Sequence, residues 1–257
     1  MDCLSVEKSK LFGGEKMIKG IFLATGSIPT KERSCQGILL EFGDTSVLVD
    51  CGEGIQYQLL KSNADLSKIN SIFLTHEHID HIYGVGGVVA LLLNKYKEKV
   101  ITVYGPKEVI LILRNIVNLF MLKSSSRIEY MELNEEQIIN RDSYVCSTFK
   151  TYHTESSLGY CFQFDGKKLV LLGDMALPDA EAREKIISKV SNADFAVIDG
   201  VHIAAEQGAT IARDANIKNP YLMPILLSKT EEVVLNEISW IFSGVRIPRD
   251  LERFQVE

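Results

Sequence analysis

Three of the five histidines in this chain lie within six residues of each other, directly behind a short apolar run. The run is 71–74 (SIFL), and the segment that follows it is 75–81 (THEHIDH). Imidazole and carboxylate groups are the usual ligands of zinc and similar divalent cations. Where a strand passes into a loop, His76 and His78 can point to one side as an i, i+2 pair. Asp80 and His81 can then face a second position, so the pattern predicts a metal site and indicates two metals.

A second interpretation of the same residues is a charged loop that caps the following helix. Asp80 would then be the N-cap residue, whose side chain accepts a hydrogen bond from a backbone N–H group of the first turn. Such loops often carry one histidine, whereas three imidazoles alternate with acids here. The metal-site interpretation is therefore favoured.

The order His-x-His-x-Asp-His behind an apolar strand resembles the signature of the metallo-β-lactamase superfamily. Two further segments, 22–33 (FLATGSIPTKER) and 49–60 (VDCGEGIQYQLL), are similar to those of ribonuclease Z, the tRNA 3′-end endonuclease. The resemblance runs from about Met17 to residues 249–252 (RDLE) near the C-terminus. It implies an α/β fold of the αββα sandwich type, with the metals at one edge of two sheets, and a homodimer.

The composition agrees with one domain of this kind. A chain of 257 residues is long enough for a large buried core, and its 46% hydrophobic and 24% charged residues are typical of a globular protein. The family-like sequence predicts a single hydrolase domain over residues 17–257. Residues 1–16 precede it as an N-terminal extension that we expect to be poorly ordered.

The cellular compartment is predicted from the apolar runs, the N-terminal residues and the cysteines. No apolar run reaches the length of a membrane helix, and residues 1–8 lack the basic and apolar regions of a secretory signal. The five cysteines are scattered and form no Cys-x-x-Cys pair. Reduced thiols and a cytoplasmic location without membrane contact are therefore predicted.

Strand-like and helical patterns alternate along the chain without a linker, as is typical of an α/β domain. The predicted strands are Ile21–Ala24, Ile38–Phe42, Val47–Asp50, Ile72–Thr75, Val100–Tyr104, Ile128–Leu133, Tyr144–Tyr152, Tyr160–Phe164, Leu169–Leu172 and Phe195–Ile198. The predicted helices are Ile55–Leu60, Ile82–Lys95, Lys107–Leu122, Asp179–Val190, Ala204–Ala215 and Thr230–Phe242.

Two more positions complete the metal site by resemblance. His153 stands where the family has a third histidine after a strand, and Asp174 stands at the bridging carboxylate. A carboxylate has two oxygens and can reach two cations roughly 3.5–4 Å apart. Taken alone, His153 could be a surface-loop histidine and Asp174 a helix N-cap. The implied ligands of two Zn²⁺ ions, with Mn²⁺ as the alternative, are His76, His78, Asp80, His81, His153 and Asp174.

Asp50 has a different role in this interpretation. It lies at the end of the strand that runs beside the metal loop. We expect its carboxylate to accept a hydrogen bond from a ligand imidazole and so to orient the ring.

The second metal position departs from the family pattern. Where ribonuclease Z has a last histidine, within a Thr-His-Ile-Ser-like sequence, this chain has Met223-Pro224. A proline side chain cannot ligate a metal, so Asp80, His81 and Asp174 leave the second site one protein ligand short. Water can take an open position, so catalysis remains compatible with this sequence. We expect the second site to bind its metal more weakly than the first.

His202 is the fifth histidine, and three roles are open to it. Residues 201–206 (VHIAAE), with Ile211-Ala212, have the spacing of the family's His-x-Thr segment, whose histidine helps to protonate the leaving oxygen. His202 could instead be a replacement ligand for the second metal, or the N-terminal residue of the helix from Ala204. We favour the acid role, with Asp199 in place of the family's partner glutamate. Asp80, Asp199 and His202 are therefore the candidate catalytic residues.

The substrate is also indicated by a departure from the family. Many ribonuclease Z enzymes carry a long arm between the positions of His153 and Asp174, which grips the tRNA elbow, whereas only 20 residues separate them here. The net charge of −6 also disfavours RNA, because polyanion binding depends on Lys and Arg at the phosphates. Arm-less relatives of ribonuclease Z include enzymes that hydrolyse cyclic nucleotides.

Three functions are therefore considered. The favoured one is a metal-dependent phosphodiesterase that hydrolyses small phosphodiesters, cyclic nucleotides first among them, by attack of a metal-bound hydroxide. The alternative is a tRNA 3′-processing endonuclease like ribonuclease Z. The third is a non-catalytic relative with an incomplete second metal site.

Overall fold

The computed structural model describes residues 17–120 and 125–256. These residues form two β-sheets with helices on both outer faces, so the predicted αββα sandwich is confirmed. The strands are β1 (Ile18–Ala24), β2 (Gly37–Phe42), β3 (Thr45–Val49), β4 (Ile69–Phe73), β5 (Ile101–Pro106), β6 (Ile128–Leu133), β7 (Ile138–Asn140), β8 (Val145–Lys150), β9 (Leu158–Phe164), β10 (Lys167–Leu171), β11 (Phe195–Gly200), β12 (Pro220–Ile225) and β13 (Glu252–Val256). The helices are α1 (Ile55–Lys61), α2 (Ile79–Ile82), α3 (Val85–Lys95), α4 (Lys107–Phe120), α5 (Ala180–Val190), α6 (Ala205–Asp214) and α7 (Glu231–Ile238).

Each sheet contains a parallel set of strands, and these sets position the site. The first sheet has the order β13-β1-β2-β3-β4-β5-β6, with β3 to β6 parallel. The second has the order β12-β11-β10-β9-β8-β7, with β10 to β12 parallel. Because parallel strands all end at one edge of a sheet, loops that follow them lie close together.

The core is layered as the fold class requires. Large aromatic side chains fill the space between the sheets, among them Phe22, Phe73, Tyr104 and Phe162, which are almost fully buried. Separate apolar clusters lie under α1, α3 and α4 on the first sheet and under α5, α6 and α7 on the second. Burial of apolar surface between the sheets and under the helices on each side stabilises the two sheets beneath the site.

The helix predicted from Ile82 to Lys95 is interrupted. A short helix, α2, ends at Ile82, and α3 begins only at Val85. Gly84 lies against the loop of Cys51 and Gly52: its N–H donates to the Cys51 carbonyl at 2.8 Å, and a Cβ at Gly84 would come within 2.0 Å of the Gly52 carbonyl oxygen. Only glycine permits this close backbone approach. The N–H of Gly84 therefore bonds to Cys51 instead of to a carbonyl within the helix, and periodicity alone could not show this.

Three strands were not predicted. β12 begins with Pro220 and contains Pro224, which counts against a strand in a sequence pattern. It lies at the edge of the second sheet, where a missing N–H costs no ladder hydrogen bond. β7 and β13 are also edge strands: β7 has only three residues, and three of the five residues of β13 are polar. Edge strands need no apolar alternation on both faces, so the pattern was weak there.

Some predictions lie at or beyond the limits of the described residues. The N-terminal extension 1–16 lies outside them, as do Cys3 and the end of the helix predicted to reach Leu122. The strand predicted over Tyr144–Tyr152 is limited to β8. The four described cysteines, Cys35, Cys51, Cys146 and Cys161, are free and buried. Within the described residues, no helix combines the length and the apolar character needed to cross a membrane.

Candidate metal centre

All five histidines of the chain converge on one edge of the sandwich. The segment 75–81 follows β4, whereas His153 follows β8 and Asp174 follows β10. Asp50 comes directly after β3, and His202 lies just beyond β11. The histidines and acids that the sequence predicted as one site are therefore brought together by the ends of strands from both sheets.

The first cluster consists of His76, His78, His153 and Asp174, whose ligand atoms all lie within 4.8 Å of one another. Nε2 of His76 and Nε2 of His153 lie 3.6 and 3.7 Å from Oδ2 of Asp174. Nε2 of His153 lies 3.1 Å from Nδ1 of His78. Ligands about 2.0–2.1 Å from a tetrahedral zinc ion are separated from each other by about 3.3–3.4 Å. The spacing of these nitrogens and oxygens therefore fits a cation.

His76 gives an independent indication of a cation. Its side chain is fully buried, and its Nε2 atom has no hydrogen-bond partner. A buried nitrogen without a partner is costly unless another group interacts with its lone pair. Burial, together with the neighbouring His81, lowers the pKa of His76 to about 2, so the ring is neutral and can donate this lone pair.

The second cluster consists of Asp80, His81 and Asp174. Nε2 of His81 lies 3.3 Å from Oδ1 of Asp174 and 3.5 Å from Oδ2 of Asp80. The two oxygens of Asp174 thus face different clusters, Oδ2 the first and Oδ1 the second. Burial opposes ionisation of Asp174, but the neighbouring imidazoles, His81 foremost, hold its pKa well below the usual range. Asp174 is therefore an ionised carboxylate in the position of a bridge.

Asp50 and Thr75 orient two of the imidazoles. Asp50 accepts a hydrogen bond from Nδ1 of His81 at 2.8 Å, which directs Nε2 of that ring towards the second cluster. Asp50 also accepts from the backbone N–H and the hydroxyl of Thr75. The same hydroxyl lies 3.0 Å from Nδ1 of His76. The expected role of Asp50 agrees with these contacts, whereas Thr75 was missed, although a hydroxyl next to a ligand histidine was a usable signal.

Asp199 holds His202 in place. Its buried carboxylate accepts from the backbone N–H groups of Met175, Val201 and His202 and from Nδ1 of His202 at 3.0 Å. This hydrogen bond is the largest of the effects that raise the pKa of His202. Asp199 is therefore saturated with donors, and the Nε2 atom of His202 is the nitrogen left to meet a substrate.

The position of His202 bears on the three roles considered for it. Its ring lies 4.3 Å from the ring of His153, and its Nδ1 lies 3.5 Å from Oδ2 of Asp174, the oxygen that faces the first cluster. It forms a group with Asp174 and Asp199 but not with Asp80 and His81. The helix α6 begins at Ala205, with Ala204 as its N-cap residue. His202 therefore lies beside the first cluster rather than the second, and it is not the N-cap residue of α6.

Pro224 lies buried inside β12, and its neighbour Met223 faces a small cavity with Asp50, Thr75 and Gly173. The segment thus lies beside Asp50, which contacts His81 of the second cluster, but it brings no metal ligand. Gln36 lines the same cavity and was not predicted. Its amide contacts both His81 and Asp174. No signal in the sequence marks Gln36, since it lies outside the segment that carries the histidines.

A family model for the β-lactamase superfamily domain matches residues 45–224, which is more than half of the chain. The chain therefore belongs to the metallo-β-lactamase superfamily, whose members bind divalent metals and act as hydrolases. Within it the chain is part of the ribonuclease Z-like branch. The predicted family is confirmed.

Two relatives illustrate the similarity in sequence. Ribonuclease Z from Methanosarcina mazei is 24% identical over an alignment of 304 positions, gaps included, which covers 93% of this chain and 98% of the relative. Ribonuclease Z from Methanococcus maripaludis is 31% identical over 204 residues, which include 76% of this chain and 66% of the relative.

Three solved structures share the fold. The metallo-β-lactamase fold protein YhfI from Bacillus subtilis has a TM-score of 0.80 and 20% identity, and the match covers 93% of this chain and 99% of that one. The short form of human tRNase Z has a TM-score of 0.73 and 20% identity, with 93% and 99% of the two chains covered. A diphosphatase of the PhnP family has a TM-score of 0.74 and 17% identity, with 93% and 97% covered. At these identities the likeness shows the fold alone.

Proposed function

We propose that this protein is a metal-dependent phosphodiesterase, with one cation on the first cluster and another on the second. The observation that carries the proposal is the ionised carboxylate of Asp174, whose two oxygens face the two clusters separately. A pair of divalent cations supplies Lewis-acid stabilisation of a phosphoryl group and lowers the pKa of water. Zn²⁺ suits the three imidazoles of the first cluster.

The protein's own residues would orient the substrate and move the proton. Asp50 fixes the ring of His81, and Thr75 contacts that of His76. His202, protonated to a higher pH than an ordinary histidine, would donate the proton on Nε2 to the leaving oxygen. Asp199 would act on His202 rather than on the substrate, because its oxygens are occupied by four donors.

A small nucleotide phosphodiester is the substrate that we propose. Between His153 and Asp174 the chain forms only the hairpin of β9 and β10, joined by the turn at Asp165 and Gly166. The alignment with the Methanosarcina relative spans 304 positions, more than the whole chain of 257 residues, so the relative has segments that this chain lacks. With a net charge of −6 as well, a strong grip on a folded RNA is disfavoured.

A tRNA 3′-processing endonuclease is the second candidate. The relatives from Methanosarcina mazei and Methanococcus maripaludis are ribonuclease Z enzymes, and short human tRNase Z shares the fold. By name, these relatives support the second candidate better than the first. A homodimer and a cytoplasmic location remain predictions for either function.

The substrate test compares a labelled precursor tRNA with a panel of cyclic nucleotides at physiological salt. We expect hydrolysis of a small phosphodiester, together with weak tRNA binding that changes little with salt, because few cations are available to displace phosphate counterions. Efficient cleavage of the precursor at one position would restore the nuclease assignment. Inactivity towards every substrate would favour the non-catalytic relative.

Replacing His202 with alanine tests the acid role. We expect the variant to keep its full metal content but to lose activity, by about 10²-fold or more, towards substrates with poor leaving groups. Activity towards a nitrophenyl ester should suffer much less, because nitrophenolate leaves without needing a proton. The two rates and the metal content are measured on one preparation. Loss of one metal equivalent would show instead that His202 is a ligand.

A further inference from the structure

Gln36 is a buried glutamine beside the second cluster, and it has no role in the proposed proton transfer. It lies immediately before β2 and is 2% exposed. Its backbone carbonyl accepts from the N–H of Gly52 at 2.8 Å, which holds the residue beside the loop after β3. Its side chain reaches the second cluster, where Nε2 lies 3.0 Å from Nε2 of His81 and 3.3 Å from Oδ1 of Asp174.

These contacts are made to atoms that would ligate the second cation. The ligand set of the second site is centred on Nε2 of His81. This nitrogen lies 3.5 Å from Oδ2 of Asp80 and 3.3 Å from Oδ1 of Asp174. Ligands of a tetrahedral site with bonds of about 2.0–2.1 Å are about 3.3–3.4 Å apart. The amide atom of Gln36, at 3.0 and 3.3 Å from two members, is thus spaced as a fourth ligand of the same site.

The amide can present oxygen at this position. Its oxygen and nitrogen are nearly equal in size, and a half-turn of the terminal amide exchanges them. With no cation, Nε2 contacts Nε2 of His81 and donates a hydrogen bond to Oδ1 of Asp174. With a cation bound, Oε1 is the atom that a positive charge attracts.

We propose that Oε1 of Gln36 is the fourth protein ligand of the second cation, in place of the histidine that Pro224 removes. The second site then has three oxygens and one nitrogen, from Asp80, Asp174, Gln36 and His81. The first site has three nitrogens and one oxygen. Carbonyl and carboxylate ligands suit Mn²⁺ and Mg²⁺, whereas imidazoles suit Zn²⁺. The ratio of Mn²⁺ affinity to Zn²⁺ affinity is therefore higher at the second site than at the first.

This inference rests on the proposed metal centre but not on the identity of the substrate, so its test uses metal binding alone. Apoprotein is loaded with one equivalent of Zn²⁺ and titrated with Mn²⁺, while electron paramagnetic resonance reports the free ion. We expect wild type to bind one Mn²⁺ per chain. Gln36→Leu should retain its zinc but weaken Mn²⁺ binding about 10-fold or more, because a ligand is lost. Gln36→His should lower the Mn²⁺-to-Zn²⁺ ratio.

Gln56→Leu is the matched control. Gln56 is a half-buried glutamine of α1 that contacts neither cluster, so this variant should bind both ions as wild type does. Zinc retained on the first cluster shows that each variant is folded. Unchanged Mn²⁺ affinity in Gln36→Leu, or a wild type that binds no second ion, would overturn the proposal. If Gln36→Leu fails to fold, Gln36→His decides, since an unchanged affinity ratio in that variant also contradicts the assignment.

Discussion

Replacing Asp174 with alanine should reduce kcat by about 10²- to 10³-fold on any phosphodiester. Several kcal/mol of transition-state stabilisation would be lost with the cations, and each 1.36 kcal/mol corresponds to a factor of ten. The reason is geometric, because Oδ2 lies 3.6 Å from Nε2 of His76 and Oδ1 lies 3.3 Å from Nε2 of His81. One substitution therefore removes a ligand from both clusters.

Asp194→Ala is the matched control for this prediction. Asp194 is a buried aspartate with hydrogen bonds to Lys168 and Lys218, and it lies outside both clusters. That variant should lose stability but keep its kcat at temperatures where it is folded. Two companion variants, Asp80→Ala and His81→Ala, distinguish a one-metal mechanism from a two-metal mechanism. If both retain full turnover while Asp174→Ala does not, a one-metal mechanism replaces the proposed one.

Replacing His76 with alanine, or His78 with alanine, should remove most of the metal from the first cluster. Both imidazoles lie among the closely spaced ligand atoms of this cluster, and the Nε2 atom of His76 is buried without a hydrogen-bond partner. Elemental analysis of each purified variant after dialysis measures the effect. We expect loss of about one equivalent per chain relative to wild type.

The control for the histidine variants comes from within the site, since all five histidines of the chain converge there. His202→Ala removes an imidazole of the same size that contacts Asp199, and it should leave the metal content unchanged. Full retention of metal in both His76→Ala and His78→Ala would contradict the assignment of the first cluster. Partial retention in one of them would rank the two ligands.

The predicted ligands could be found from sequence because they lie in the loops and the short helix that follow strands, and because His153 and Asp174 match positions of the family pattern. His76 follows an apolar run and Asp174 follows another, so the ends of parallel strands place them together once the fold is known. Asp50 could be assigned to an imidazole for the same reason, and it does contact His81. The alternation of short strands with helices indicated an α/β domain, whereas the two-sheet sandwich was predicted from the resemblance to the metallo-β-lactamase superfamily.

Other features depend on contacts that no local pattern contains. Gln36 reaches Asp174 across 138 positions of the chain, and its own surroundings in the sequence contain no histidine or acid motif. The break between α2 and α3 depends on how closely Gly84 approaches Gly52. The strand β12 contains two prolines and is tolerated only because it forms an edge. Each was missed because long-range packing overrides the local preference.

The most direct test of a catalytic metal centre is the rate of nitrophenolate release from bis(4-nitrophenyl) phosphate by protein reconstituted with divalent metal. We expect release in proportion to enzyme concentration, abolished by a chelator, restored by added metal, and lowered at least about 10²-fold in Asp174→Ala. A wild-type rate no faster than that of Asp174→Ala, in protein that holds two metal equivalents per chain, would contradict the account and identify a non-catalytic relative.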